Sequence, residues 1–386
     1  MTAERAGSEP SRARPFRMLL QARRRTAAWA RRPLAGRPLA GRPLARGGRT
    51  SCGATRPGRV AAALGLAVAG AVLSGCGSSG IAASSPGTVA YVAIHTGLAD
   101  PGDTVAALST SMFQALPPVT TASLPEALAA TPDGRQVLVA DEGAQQVTVL
   151  DASNGHVTAR VGVGLEPDAI AVTPDGRTAL VANFSDGTVT PIDLATMRAG
   201  PTIAVGSEPD AIAVTPDGRT ALVADFHSGT VTPIDLATMR AGPAVAVGPE
   251  PVAIAVPPGG SVALVASFQD STLVPISLLS LVAGAPVGIA GNPTAIVAGP
   301  AGGRAAAYVA AGASVIPVDV PGPTVGRAVD VGTPVEGIAL SGNGSTVWVT
   351  TTAGWAAPVD MVTGTVGQQV HVGGQPGAIV IPRPGG

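Results

Sequence analysis

Lysine does not occur in this chain of 386 residues; its 24 basic residues are all arginine. Their placement is uneven, with fifteen in residues 1–75 and nine in residues 76–386, where 23 acidic residues outnumber them. A net charge of −14 over the larger part excludes the basic face that phosphate binding needs, so no nucleic-acid partner is expected. Aromatic residues make up only 3% of the sequence, which argues against a quinone-type cofactor stacked on tryptophan. Cysteine occurs only as Cys52 and Cys76, too few for a disulfide framework. The four histidines, His95, His156, His227 and His371, show no spacing that gathers two or three into a metal site. A serine nucleophile elbow, a phosphate-cradling glycine loop and a zinc motif are also missing.

Residues 1–75 set fifteen arginines against Glu4 and Glu9, a net charge of +13. They hold the low-complexity stretch PLAGRPLAGRPLARG, then a 14-residue apolar run from Val60 to Leu73 behind Arg56 and Arg59. That run is too short for an ordinary membrane-spanning helix and reads as the apolar region of a signal peptide. It ends in Leu73-Ser74-Gly75-Cys76, which resembles a bacterial lipobox. The resemblance implies that Cys76 is acylated, becomes the first mature residue and anchors an exported lipoprotein to the outer face of the cell membrane. The Arg-rich segment is long for a signal peptide. Translation from Met18 or from a codon near Val60 therefore stays open, as does twin-arginine export through Arg31-Arg32 in place of the Sec route. Residues 76–87 read as the lipidated cysteine and a flexible Gly/Ser-rich tether, and residues 88–386 as the folded domain. With no further cysteine, that domain depends on its core for stability, and it is long enough to build one.

What the domain does have is repetition. Residues 168–206 and 210–248 match at 34 of 39 positions, at an offset of 42. A period near 40 residues, built of short apolar runs and turn residues, signals one supersecondary unit repeated radially or linearly. Within a unit, Asp168–Thr173 reads as a strand, Pro174-Asp-Gly-Arg177 as a β-turn, and Thr178–Phe184 as a second strand. Ser185-Asp-Gly187 reads as a hairpin turn, Thr188–Asp193 as a third strand, Ala195–Gly200 as a loop and Pro201–Val205 as a fourth strand. Runs such as AIAV and ALVA are apolar without alternation, as expected where both faces of a sheet are covered. No run is long enough between Gly or Pro for a helical repeat.

The expected fold is therefore all-β: a seven-bladed β-propeller of four-stranded blades. Six complete units span 122–164, 165–206, 207–248, 249–291, 292–332 and 333–373. The seventh joins 88–121, which lacks a first strand, with 374–386, which supplies one. Pairing the C-terminal strand with the N-terminal blade closes the ring and removes exposed edges.

The pattern Thr-Pro-Asp-Gly-Arg, then Leu180-Val-Ala-Asn183, then Thr-Val-Thr-Pro-Ile-Asp-Leu-Ala-Thr resembles the YVTN-type β-propeller repeat. The closest matches lie at 173–196 and 215–238, with Leu222-Val-Ala-Asp225 and Leu138-Val-Ala-Asp141 in the Tyr-Val-Thr-Asn position. Gly-His and Trp-Asp pairs are missing, so the array does not resemble WD40 repeats. The resemblance implies a bacterial or archaeal surface protein, and the superfamily also includes lactonase and quinoprotein propellers.

Propeller ligands sit over the central channel, on the face made by loops leading into first strands and by the turns between second and third strands. Those loops carry Asp141, Glu166, Asp168, Asp186, Glu208, Asp210, Asp225 and His227, whereas Arg135, Arg177, Arg198, Arg219 and Arg240 fall on the opposite face. Two readings compete for the acids: a site for a cationic ligand, or turn capping by solvated loop carboxylates. Phe184, Phe226 and Phe268, one per repeat, are expected to pack between blades, and Asp193 and Asp235 to bond turn amides. The functional expectation is a monomeric, membrane-anchored module. It binds an envelope protein or small ligand without catalysis and needs no cofactor, a divalent cation being left open. The alternative is a lactonase- or lyase-like propeller enzyme using the acidic loops.

Overall fold

A computed structural model describes residues 89–95, 102–259, 261–299, 307–320, 322–342 and 344–383. The leader, the lipobox with Cys76 and the tether lie outside the described residues. Seven antiparallel sheets make seven blades. The third blade shows the plan: Pro167–Val172 is the inner strand, Thr178–Asn183 the second and Thr188–Asp193 the third. The inner strand runs from an upper face to a lower one, and each following strand reverses direction. Turns between second and third strands therefore lie on the upper face. Turns from inner to second and from third to outer strands lie on the lower face.

Ring closure occurs as the sequence predicts. Gln375–Val380 is the inner strand of the first blade, pairing antiparallel with Val89–His95 through Tyr91↔Val380 and Val92↔Ile379. Its neighbour on the other side is the seventh blade, where Thr350 Oγ1 donates to the Gly377 carbonyl at 2.6 Å. Gly337 faces the same carbonyl so closely that a Cβ there would lie 2.3 Å from it.

The second strands explain the non-alternating apolar runs. Ala179 and Val181 pack toward the second blade, with Leu138 and Val149, whereas Leu180 points the other way and packs with Ile212 and Val223 of the fourth blade. Each seam between consecutive blades has one such cluster, so the core is seven thin layers arranged around the channel. Burial of both faces selects apolar residues at every position of a second strand. The seam between the first and second blades adds a polar tie, with the Tyr91 hydroxyl donating to the Ala152 carbonyl at 3.1 Å. Burial pushes the Tyr91 phenol up to about 12. The described residues between 89 and 383 close into a ring that holds all seven clusters, so the propeller contains its whole core within itself.

One detail departs from the sequence reading. The fourth strand expected at Pro201–Val205 is split into Arg198–Ala199 and Ile203–Ala204, and the fourth to seventh blades are split in the same way. Each split blade has a proline inside its third strand and a glycine nine residues later. The pairs are Pro191/Gly200, Pro233/Gly242, Pro275/Gly284, Pro317/Gly326 and Pro358/Gly367. The glycine N–H donates to the proline carbonyl at 2.7–2.8 Å, and the proline ring sits against the glycine Cα. Proline has no N–H for the ladder, so the outer strand bows out by one residue around it. The first and second blades have no third-strand proline, and their outer strands, Gln114–Thr120 and Val157–Gly162, are continuous.

Candidate functional site

The upper-face acids divide into three structural groups. The first sits at the last residue of the second strand, the position occupied in turn by His95, Asp141, Asn183, Asp225, Ser267, Ala311 and Thr351. Asp141, Asn183 and Asp225 are fully buried. Each fastens the loop arriving from the preceding blade. Asp225 accepts from the Gly206 N–H at 3.0 Å and from Thr230 and Thr232 hydroxyls at 3.0 and 2.6 Å. Asp141 accepts from Thr148 at 2.5 Å and from the Ala122 N–H at 3.3 Å. Asn183 does the same work without charge. Its Oδ1 accepts from the Gly164 N–H at 3.1 Å, and its Nδ2 donates to Thr188 and Thr190. Burial raises the pKa of Asp141 and Asp225, against the lowering effect of the threonine hydroxyls.

The second group holds the loop rims. Glu166 and Glu208 precede inner strands in left-handed backbone, with φ of 53° and 56°. Their carbonyls accept from the N–H groups of Phe184 and Phe226, both at 2.8 Å. The Glu166 carboxylate accepts from the Ser185 hydroxyl, and Asp186 accepts from the Leu165 N–H at 2.7 Å. In the next blade Ser228 takes over the Asp186 role, accepting from the Ser207 N–H at 2.8 Å. His227 binds the Ser207 carbonyl only through its backbone, and the residue is exposed. The sequence singles it out, yet among the described residues no hydrogen bond or ion pair ties its imidazole to the acids around it.

The third group stands at a β-bulge one residue into the inner strands of the second, third, fourth and seventh blades: Glu126, Asp168, Asp210 and Glu336, with Val252 and Thr294 at the same position in the fifth and sixth. Here lies a pair that sequence reasoning missed. His95 Nε2 is 3.3 Å from Glu126 Oε2, across the seam between the first and second blades. Glu126 was visible in Leu124-Pro125-Glu126, which aligns with Glu166-Pro167-Asp168. His95 was not, because the first blade keeps too little of the repeat to show that it aligns with Asp141. Among the described residues, no three His, Cys, Asp or Glu side chains come together in a group able to hold a metal ion.

The phenylalanines pack as expected: Phe226 is buried in the cluster between the fifth and sixth blades, with Phe184 and Phe268 against it. Asp193 and Asp235 likewise bond turn groups, accepting from the N–H and hydroxyl of Thr196 and of Thr238. On the lower face, a cleft of about 430 Å³ lies between the third and fourth blades, lined by Thr173, Pro174, Asp175, Asp217, Leu236 and Met239 among others. Hydrogen bonds from Thr173 and Thr215, then from the Arg177 and Arg219 N–H groups, hold Asp175 and Asp217 below the usual carboxylate range.

The molecule defined by these features is a closed seven-bladed β-propeller with an acid-lined upper face. No protein-family profile matches the sequence, and no curated protein matches it either. Solved structures do. A functionally unknown protein from Desulfotomaculum acetoxidans DSM 771 is 17% identical, with 76% of this chain and 99% of that one covered at a TM-score of 0.68. A putative 6-phosphogluconolactonase from Bacteroides uniformis ATCC 8492 is also 17% identical, with 78% and 99% covered at 0.63. Kuenenia stuttgartiensis hydrazine synthase is 19% identical, with 68% and 90% covered at 0.61. At such identities the likeness is one of fold, and fold does not specify chemistry.

Proposed function

We propose that this chain is an exported, lipid-anchored β-propeller that acts as a non-catalytic binding module at the cell envelope. The observation that carries the non-catalytic part is where the carboxylates go. Asp141, Asp225, Glu166 and Asp186 all accept hydrogen bonds that fasten loops, and a neutral residue replaces each acid at an equivalent position elsewhere, as Asn183 and Ser228 do. Carboxylates engaged in such loop bonds serve as structural acceptors, a task that an amide or a hydroxyl performs equally well in the next blade. The upper loops thus form a rigid, acidic platform suited to an envelope protein or a small cationic ligand. Ring closure pairs both ends of the sheet array within one chain, which supports reading the propeller as a monomer.

Anchoring rests on the lipobox resemblance at Leu73–Cys76. Cys76→Ser is expected to move the protein from the membrane fraction to the soluble one; retention in the membrane would refute it. One observation favours a second reading, as a lactonase-like enzyme: the His95–Glu126 pair at the upper end of the channel could move a proton. A panel of lactones tested with the intact protein and with His95→Gln decides between the two. Hydrolysis that His95→Gln abolishes would establish the enzyme.

A further inference from the structure

Among the described residues, six large apolar side chains stand exposed: Met112, Leu165, Leu279, Val282, Val325 and Val362. Scattered singly, such residues need no explanation. Their placement here is not scattered. Five of the six lie where the third strand turns into the outer strand, at the lower rim, on the consecutive fifth, sixth, seventh and first blades. Leu279 is 98% exposed and Val282 60%. The same corner of the third and fourth blades carries Arg198 and Arg240, both exposed. At the position of these arginines the fifth blade has Val282, while the sixth, seventh and first blades have Thr324, Thr365 and Gln114, so arginine is missing from the whole apolar arc.

The chain enters the propeller on that same face. Val89 pairs with Ser109, the lower end of the third strand of the first blade, so Val89 lies at the lower rim. Cys76 is thirteen residues back along the chain, about 20 Å away on average for a flexible tether. Charge distinguishes the two faces as well: the lower face sets Arg135, Arg177, Arg198, Arg219 and Arg240 beside its aspartates, with Asp319 and Asp360 on the apolar arc itself. Asp168, Glu166, Asp186, Glu208 and Asp210 gather on the upper face, which an anionic membrane surface repels.

We propose that the apolar arc of the lower rim rests on the lipid bilayer, with the acidic upper face turned away from it. This rests on the reading of Cys76 as a lipid anchor. The occupant is a bilayer because the five side chains are spread around the rim over four blades and Val89, thirteen residues after Cys76, lies at that same rim. A planar, fluid apolar medium accommodates such a toothed edge. The tether supplies a high effective concentration, so each contact can be weak.

The test uses residues 77–386, held by an N-terminal hexahistidine on vesicles of phosphatidylcholine, phosphatidylglycerol and a nickel-chelating lipid. An environment-sensitive dye is placed at Ser280→Cys or Thr363→Cys on the rim, or at Ser185→Cys on the upper face. The rim dyes are expected to shift to the blue and to be quenched by acyl-chain spin labels, while the Ser185→Cys dye stays as in water. Leu279→Asp with Val282→Asp should remove the shift read at Thr363→Cys. Rim dyes that stay water-like, an equal shift at Ser185→Cys, or a shift untouched by the double substitution would each overturn the proposal. Because the histidine tag replaces the natural lipid, the outcome is independent of the Cys76→Ser fractionation. Either reading can therefore fail alone.

Discussion

Asp225 and Asn183 perform one task in neighbouring blades, one as a carboxylate and the other as an amide. Desolvation raises the Asp225 pKa above its unfolded value, so the folded state binds its proton first as the pH falls. The charged form is a cost to folding above the folded pKa, and the cost vanishes below the unfolded value near 4. Asp225→Asn is therefore expected to raise Tm at pH 7, by an amount that shrinks toward zero as the pH is lowered to about 4. Equal Tm for the two proteins at pH 7 would contradict this. Asp225→Ala should instead destabilise by about 1–3 kcal/mol, since it strands the Gly206 N–H and two threonine hydroxyls. Asp133, Asp175 and Asp217 have the opposite sign. Hydrogen bonds from Thr131, Thr173 and Thr215 depress them, so their contribution is present above the unfolded pKa and lost as the pH falls through the lower folded value. The sequence exposed these residues as strand-end and turn aspartates. It did not show which were buried, because strand-end residues look alike until the incoming loop covers them. The Asn183/Asp225 exchange was the available signal, pointing to a position that needs hydrogen bonding more than charge.

At the scale of one strand, the proline–glycine pairs account for the part of the fold the sequence concealed. Second and third strands were legible from their turns and apolar runs, and Thr188–Asp193 is a strand over the expected residues. The outer strand was not, because a proline in a neighbouring strand decides its path. The glycine is needed because a Cβ at Gly367 would lie 2.9 Å from the Pro358 ring, and at Gly326 2.8 Å from Pro317. Gly367→Ala is predicted to lower stability by about 1–3 kcal/mol through overpacking. Combination with Pro358→Val should recover part of that loss, as a double-mutant cycle can measure. Strict additivity of the two changes would show that the ring contact is not what excludes a side chain. Tyr91→Phe removes one hydrogen bond across the seam between the first and second blades and should cost about 1 kcal/mol in urea unfolding.

Over the whole molecule, closure is the property on which the rest depends. Seven seams share the core, and the one made by Gln375–Val380 joins both chain ends. The tail continues past it: the Arg383 carbonyl lies on Gly134 in the lower turn of the second blade, so the clasp spans two blades. Deleting residues 374–386 should sharply lower Tm and expose an unpaired strand edge at Val89–His95. An unchanged melting curve would refute a closed ring as the source of stability. Blade number and closure could both be read from the 42-residue period and the orphan strand at each end. The His95–Glu126 pair could not, since it spans a seam whose first blade has lost the repeat motif.

The central claim is that the upper-face acids build loops and do not assemble a cation-dependent reaction centre. Calorimetric titration of residues 77–386 with Ca²⁺, Mg²⁺ and Zn²⁺, read beside the thermal shift each ion produces, tests it most directly. The account predicts no saturable heat and no rise in Tm with any of the three. A saturable heat with a matching rise in Tm, lost in Asp168→Asn or Asp210→Asn, would contradict it.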